Sequence, residues 1–191
     1  MKEVEILVKL QETFENAQNI LSKYEMVKHS KTRDKYYTHP HMVDLHPDDN
    51  QRLRSCFRIR EKCGKNYITY KNDHFSSEDE WLYSDEWETE VASAEMINQI
   101  VSKLGFQELI TVDVDKYVYE YQSGYELVLE NVVGLGVFLE IEFVSDAEFQ
   151  NVEEVKNEIR NKITELGFTN PEEMNAGKPE LLLKKKHCKE I

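Results

Sequence analysis

Cysteine is scarce and odd in number. Cys56, Cys63 and Cys188 show neither paired nor metal-ligand spacing, which excludes a disulfide framework and a zinc ribbon and leaves reduced thiols in a cytoplasmic protein as the expectation. No apolar run approaches the roughly 20 residues that span a bilayer. Strand-like sequence begins at about residue 2, so neither a membrane span nor a signal peptide is expected. Basic residues are outnumbered, 24 Lys and Arg against 37 Asp and Glu, and the formal charge of -13 argues against nucleic acid or an anionic membrane as partner. An anionic small molecule stays admissible, because a local basic cluster with divalent cations overrides the global field. No G-x-x-x-x-G-K-[ST] loop, Rossmann fingerprint or Ser/His/Asp set occurs. His39, His41 and His46 fall in the turn-rich stretch THPHMVDLHPDDNQ, where a surface role outweighs metal ligation.

What the chain does have is charge at a spacing of two. Glu3 and Glu5 alternate with Val4 and Ile6, and Glu140 and Glu142 alternate with Leu139, Ile141 and Phe143. Between these acidic runs lie CFRIR, with Arg58 and Arg60 against Phe57 and Ile59, and YITYK, with Thr69 and Lys71 against Ile68 and Tyr70. Successive strand side chains point to opposite faces, so each run has one ionic and one apolar face. The charge is segregated by sign: carboxylates near both ends of the chain, Arg and Lys in the middle.

Hydrophobics at 40% and charged residues at 32% over 191 residues fit one globular domain spanning the chain. Strands are expected at 2–10, 33–38, 54–62, 66–72, 86–92, 109–121, 125–131 and 137–144, with glycine in the reversals at Gly64, in QSG and in VVGLG. Helical periodicity marks Thr13 to about Tyr24, a segment after Ser93 with an apolar stripe of Met96, Ile97, Ile100, Val101 and Leu104, and 152–166 closed by Gly167. The tail ELLLKKKHCKEI reads as a short terminal helix with a solvated basic end. This is an α+β pattern, and so many consecutive strands point to a closed antiparallel barrel. The helical stripes need the strands' apolar faces, which turns the charged faces into the lumen.

The run order Glu3-Val4-Glu5, Asp34-Lys35-Tyr36-Tyr37, Phe57-Arg58-Ile59-Arg60, Thr69-Tyr70-Lys71, Glu88-Thr89-Glu90, Lys116 and LENVVGLGVFLEIE resembles the CYTH family of triphosphate tunnel metalloenzymes, closest to class IV adenylyl cyclase-like members. Two positions depart from the pattern. Leu7 stands where the E-x-E-x-K signature has lysine, with Lys9 the next basic residue on that face, and Val118 stands where the K-x-R strand has arginine.

The resemblance implies an eight-stranded antiparallel tunnel with a charged lumen and helices packed outside. It implies Mg²⁺ or Mn²⁺ as cofactor and a triphosphate such as ATP or thiamine triphosphate as ligand, with homodimerisation left open. Glu3, Glu5, Glu140, Glu142 and Glu130 are the metal candidates, since carboxylates from two strands hold ions that also touch phosphates. Read from pattern alone, each E-x-E is more readily a solvated strand face than a metal site. Arg58, Arg60, Lys71 and Lys116 are the phosphate candidates, Lys9 and Lys178 weaker ones near the tunnel mouth, and Glu5, Arg60 and Lys71 the expected catalytic set. The competing role for these bases is cross-strand pairing with the glutamates; Glu88 and Glu90 fit that balancing role more readily than the alternative of positioning a nucleophile. ATP conversion to cyclic AMP and pyrophosphate is the implied reaction. The alternatives are a triphosphatase and a non-catalytic triphosphate-binding module, the last favoured by Leu7 and Val118.

Overall fold

Strands whose two faces differ in polarity must separate water from core, and here they do so by closing on themselves. The computed structural model describes residues 2–122, 124–145 and 151–188. Its strands are β1 Lys2–Lys9, β2 Met26–Thr38, β3 Ser55–Lys62, β4 Lys65–Phe75, β5 Trp81–Val91, β6 Gln107–Tyr119, β7 Tyr125–Val132, β8 Gly136–Ser145 and the two-residue β9 Glu172–Glu173. The helices are α1 Phe14–Leu21, α2 Ala94–Lys103, α3 Val152–Leu166 and α4 Lys178–His187. The sheet order is β5-β4-β3-β2-β6-β7-β8-β1, and β1 meets β5 again, which makes an eight-stranded antiparallel barrel. That last seam is short: Lys2 faces Asp85 and Glu3 faces Ser84, while further along β1 the same edge is taken by β9.

The apolar faces do point outward to the helices. Val4, Ile6 and Val8 of β1, Leu127 and Leu129 of β7, and Leu139 and Ile141 of β8 share one core with Ala17 and Leu21 of α1 and Ile159, Ile163 and Leu166 of α3. Each such Val, Leu or Ile side chain contributes roughly 1.5–3 kcal/mol when fully buried. Helix ends follow local chemistry. Thr13, Ser93 and Asn151 accept backbone N–H bonds from Asn16, Met96 and Glu154, and Gly167 ends α3 at φ 86°, a conformation that suits a residue without Cβ.

Three expectations need correction. β2 begins at Met26, not near residue 33, because its inward positions there are Ser30 and Thr32, which give no apolar alternation. β4 and β5 extend into the acidic stretch as far as Phe75 and from Trp81, where inward Asp73 and Ser84 bond each other at 2.5 Å. The stripe of α2 splits: Val101 packs with Ala94, Tyr37 and Ile59, whereas Met96, Ile100 and Leu104 are exposed. The terminal helix is present as α4, and residues 189–191 of the expected tail and Ser123 of the QSG reversal lie outside the described residues. No helix among the described residues is long and apolar enough to cross a membrane.

Candidate functional site: a charged tunnel

Inward-facing side chains of all eight barrel strands, joined by residues 174–180, line a cavity of about 200 Å³. One wall is acidic. Cross-strand register puts Glu5 of β1 opposite Glu142 of β8 and Leu7 opposite Glu140. Glu5, Glu140 and Glu142 each bring a carboxylate oxygen to within 4.8 Å of the others. Like charges this close resist ionising together. Burial and the neighbouring carboxylates push Glu142 up to about 9 and, against the pull of Lys71, Glu5 up to about 7. Burial opposes ionisation of Glu140 as well, but the ammonium groups of Lys178 and Lys116 outweigh it and hold that carboxyl at about 2.

The opposite wall is basic. Asp34 of β2, 4% exposed, takes a two-pronged contact from Arg60 of β3, Nε at 2.7 Å and Nη2 at 2.6 Å, and lies 3.8 Å from Arg58. Burial would raise the Asp34 carboxyl, yet the two guanidinium groups hold it below the usual range. Arg58 also approaches Glu86 at 3.6 Å and Glu88 at 3.5 Å, and its buried Nε has no hydrogen-bond partner among the described residues. A buried guanidinium N–H left unbonded is costly unless another acceptor completes it. Lys71 of β4 contacts Glu3 at 3.0 Å, Glu5 at 3.5 Å and Glu86 at 3.9 Å, and Lys116 of β6 faces Glu126 at 3.6 Å. Cross-strand pairing of the bases is therefore real, and it coexists with donors aimed at the lumen.

The structure sorts the residues named from sequence. Arg58, Arg60, Lys71, Lys116, Glu3, Glu5, Glu130, Glu140 and Glu142 all line the tunnel. Of the five metal candidates, Glu5, Glu140 and Glu142 bring oxygens close to one another, while Glu3 and Glu130 lie outside that group, paired with Lys71 and Lys178, which also reach Glu5 and Glu140. Lys9 is exposed, lies beyond the lining and pairs in register with Glu172 of β9. Glu90 pairs with Lys65 on the surface, and Glu88 receives a 2.7 Å bond from Thr69. Sequence reasoning missed Glu86 as a tunnel carboxylate, although it shares the parity of Glu88 and Glu90 in EWETE. It also missed Arg52, Phe75, Trp81 and the neighbours of Lys178 at 174–177, 179 and 180, for which no local pattern signals an inward path.

The oxygen-only triad fits a hard divalent cation such as Mg²⁺ or Mn²⁺: closely spaced carboxylates, two of them raised by burial and by mutual repulsion, are relieved by positive charge placed among them.

Comparisons with known proteins agree with this geometry. A protein of Methanocaldococcus jannaschii described as a candidate adenylate cyclase is 32% identical over 97 residues, 49% of this chain and 52% of its own, so the match spans about half the length of that relative. The PH1819 protein of Pyrococcus horikoshii superposes with a TM-score of 0.79 at 24% identity, over 96% of this chain and 99% of its own. A Hippeastrum protein, described as a candidate adenylyl cyclase with a dominant triphosphatase activity, superposes at 0.63 with 17% identity, over 96% of this chain and 95% of its own. These two likenesses are of fold. The model of the CYTH domain matches residues 1–176, which takes in every strand of the barrel and both charged walls, and the chain belongs to the CYTH domain family.

Proposed function

We propose that the chain is a divalent-metal-dependent enzyme acting on a nucleoside or organic triphosphate, of the adenylyl cyclase kind, which converts ATP to cyclic AMP and pyrophosphate. The observation that carries the reading is the division of the tunnel into a carboxylate triad and a basic wall. Family enzymes depend on divalent cations, and one held by Glu5, Glu140 and Glu142 would supply charge that neutralises phosphate oxygens.

The chain's own residues do the rest by positioning and charge, which is most of what phosphoryl chemistry asks of a protein. Arg58 and Arg60 present guanidinium groups aligned by Asp34, with the free Arg58 Nε as a donor for a phosphate oxygen. Lys71 and Lys116 add point charge on either side of the triad. The enclosed walls exclude bulk water and strengthen each of these contacts.

A second reading, hydrolysis of thiamine triphosphate or inorganic triphosphate, is supported by the triphosphatase activity ascribed to the Hippeastrum protein. Both reactions use the same walls and differ in which phosphorus is attacked. Incubation with ATP, thiamine triphosphate and inorganic triphosphate, each with Mg²⁺ or Mn²⁺, and ion-exchange separation of products distinguishes them. Cyclic AMP with pyrophosphate supports the cyclase, and orthophosphate supports the triphosphatase. Tight binding without product would overturn both in favour of a binding module.

A further inference from the structure

Positive charge in the tunnel continues past the residues that line its cavity. Leu183 of α4 is buried against Leu7, Val112, Val114, Val132 and Phe138, so that helix covers one end of the lumen. Toward the other end the lining stops at Thr32 of β2, Arg60 of β3 and Lys116 of β6. One more step of two residues, which keeps a side chain on the same face, reaches Ser30, Lys62 and Val118, and a second step on β2 reaches Lys28. Register sets these groups side by side: Thr32 faces Lys62, Ser30 faces Lys116, and Lys28 faces Val118. Arg58, Arg60 and Lys62 thus make a ladder of cations on one strand face, about 13 Å from first to last.

Folding alone does not account for this end of the tunnel. Lys62 is half-buried, and its burial together with Lys116, Lys28 and Arg60 holds its ammonium below the ordinary lysine value, against the pull of Glu126. Glu126 is itself paired with Lys116 at 3.6 Å, and neither Lys28 nor Lys62 has an ion pair among the described residues. Like charges gathered on one sheet face repel, and a chain with a formal charge of -13 has carboxylates to spare for neutralising them. The Ser30 hydroxyl, on a residue 2% exposed, also lacks a hydrogen-bond partner among the described residues. A buried hydroxyl without a partner and ammonium groups held against their own repulsion are both satisfied by one anion with several acceptor oxygens.

We propose that Ser30, Lys28 and Lys62 form a further anion subsite at the end of the tunnel away from α4, where they take the fourth phosphoryl group of a chain whose first three lie along Lys71, Arg58 and Arg60. The inference rests on the triphosphate reading above and narrows it. The ligand class becomes a linear chain of four or more phosphoryl groups, either inorganic or carried on a nucleoside. Lys116, directly opposite Ser30, stands between the two subsites and serves both.

The test is calorimetric binding of tripolyphosphate, tetrapolyphosphate and adenosine tetraphosphate, each with Mg²⁺ at one ionic strength, to the wild type, Ser30→Ala and the double variant Lys28→Met/Lys62→Met, with circular dichroism reporting the fold. The wild type is expected to bind tetrapolyphosphate about 10-fold more tightly than tripolyphosphate, the worth of one charge-assisted contact at a partly exposed site. The double variant should lose that preference while its tripolyphosphate affinity stays within about twofold, since solvent and salt screen the more distant charges. Ser30→Ala should lose part of the preference. Should the double variant not fold, Lys28→Gln/Lys62→Gln carries the same comparison. A matching gain with adenosine tetraphosphate supports the subsite with a nucleoside-borne chain as its source, and a gain with the inorganic chain alone supports it with polyphosphate as the source. Equal affinity of the wild type for the three- and four-phosphate inorganic chains, or a preference that survives in the folded double variant, would overturn the subsite and leave the triphosphate reading intact. A wild type that binds neither inorganic chain would overturn both.

Discussion

A divalent cation entering the Glu5, Glu140 and Glu142 triad should expel protons. Glu140 is already ionised near neutrality, held at about 2 by Lys178 and Lys116 against its burial, whereas burial and repulsion raise Glu5 to about 7 and Glu142 to about 9. The cation is held by ionised carboxylates, so the missing protons must leave as it binds. At pH 6.5 the expected release is about 1.8 protons per cation, falling to about 1 at pH 8 as Glu5 completes its own titration. The apparent affinity should therefore climb by about a thousandfold between pH 6 and pH 8. Calorimetric titration of Mn²⁺ at fixed pH in buffers of different ionisation enthalpy reads the count directly from the slope of observed heat against buffer heat. Glu142→Gln should remove one proton from that slope and weaken binding. A release below about half a proton at pH 6.5, with the cation still bound and still lost in Glu142→Gln, would refute the electrostatic account of the triad.

The same carboxyls set the stability profile without added cation. The folded pKa of Glu142, raised to about 9, lies above its unfolded value, so the folded state binds more protons between the two; the thermal midpoint in EDTA should fall as pH rises from 5 toward 9, more shallowly in Glu142→Gln, and a rising midpoint would contradict this. Glu5→Ala and Glu142→Ala should each abolish metal-dependent turnover with circular dichroism unchanged, and full activity in both would remove the triad from the site. Arg60→Ala should weaken triphosphate binding far more than monophosphate binding and cost about 3 kcal/mol in denaturant melts, because Asp34 keeps only the longer contact to Arg58. Leu183→Ala should cost about 3 kcal/mol and unprotect α4 first in hydrogen exchange, and uniform protection would argue against its role as the tunnel's cover.

The barrel and both of its walls were legible in the sequence because they are written in period two. Glu3, Glu5, Arg58, Arg60, Lys71, Glu140 and Glu142 declare their face by alternation with apolar neighbours, and the helices' need for an apolar surface turns that face inward. Where the lumen is lined by small polar groups the signal vanishes, which hid the first half of β2 behind Ser30 and Thr32 and the ends of β4 and β5 behind Asp73 and Ser84. Leu7 is a departure in the sequence that the structure gives a packing role, since only the tertiary path of residues 174–180 shows what lies over it. Which of the five metal candidates bring their oxygens together was equally unreadable: Glu3 and Glu130 share their lysines with Glu5 and Glu140, and one of those lysines is far away in the chain on α4.

The seam between β1 and its neighbours bears on how the chain is made. β1 is synthesised before every other strand of the barrel, yet its main partner is β8, with Glu5 waiting for Glu142 and Leu7 for Glu140, and its other edge is finished by β5 and β9. Pairings so distant in sequence close slowly, and an unpaired strand with one apolar face is open to wrong partners meanwhile. Glu3 and Glu5 give that nascent strand a charged face that deters association with its own kind. The carboxylates that later gather at the triad thus serve first as a guard on the growing chain, and the site comes together only once the final strands are synthesised.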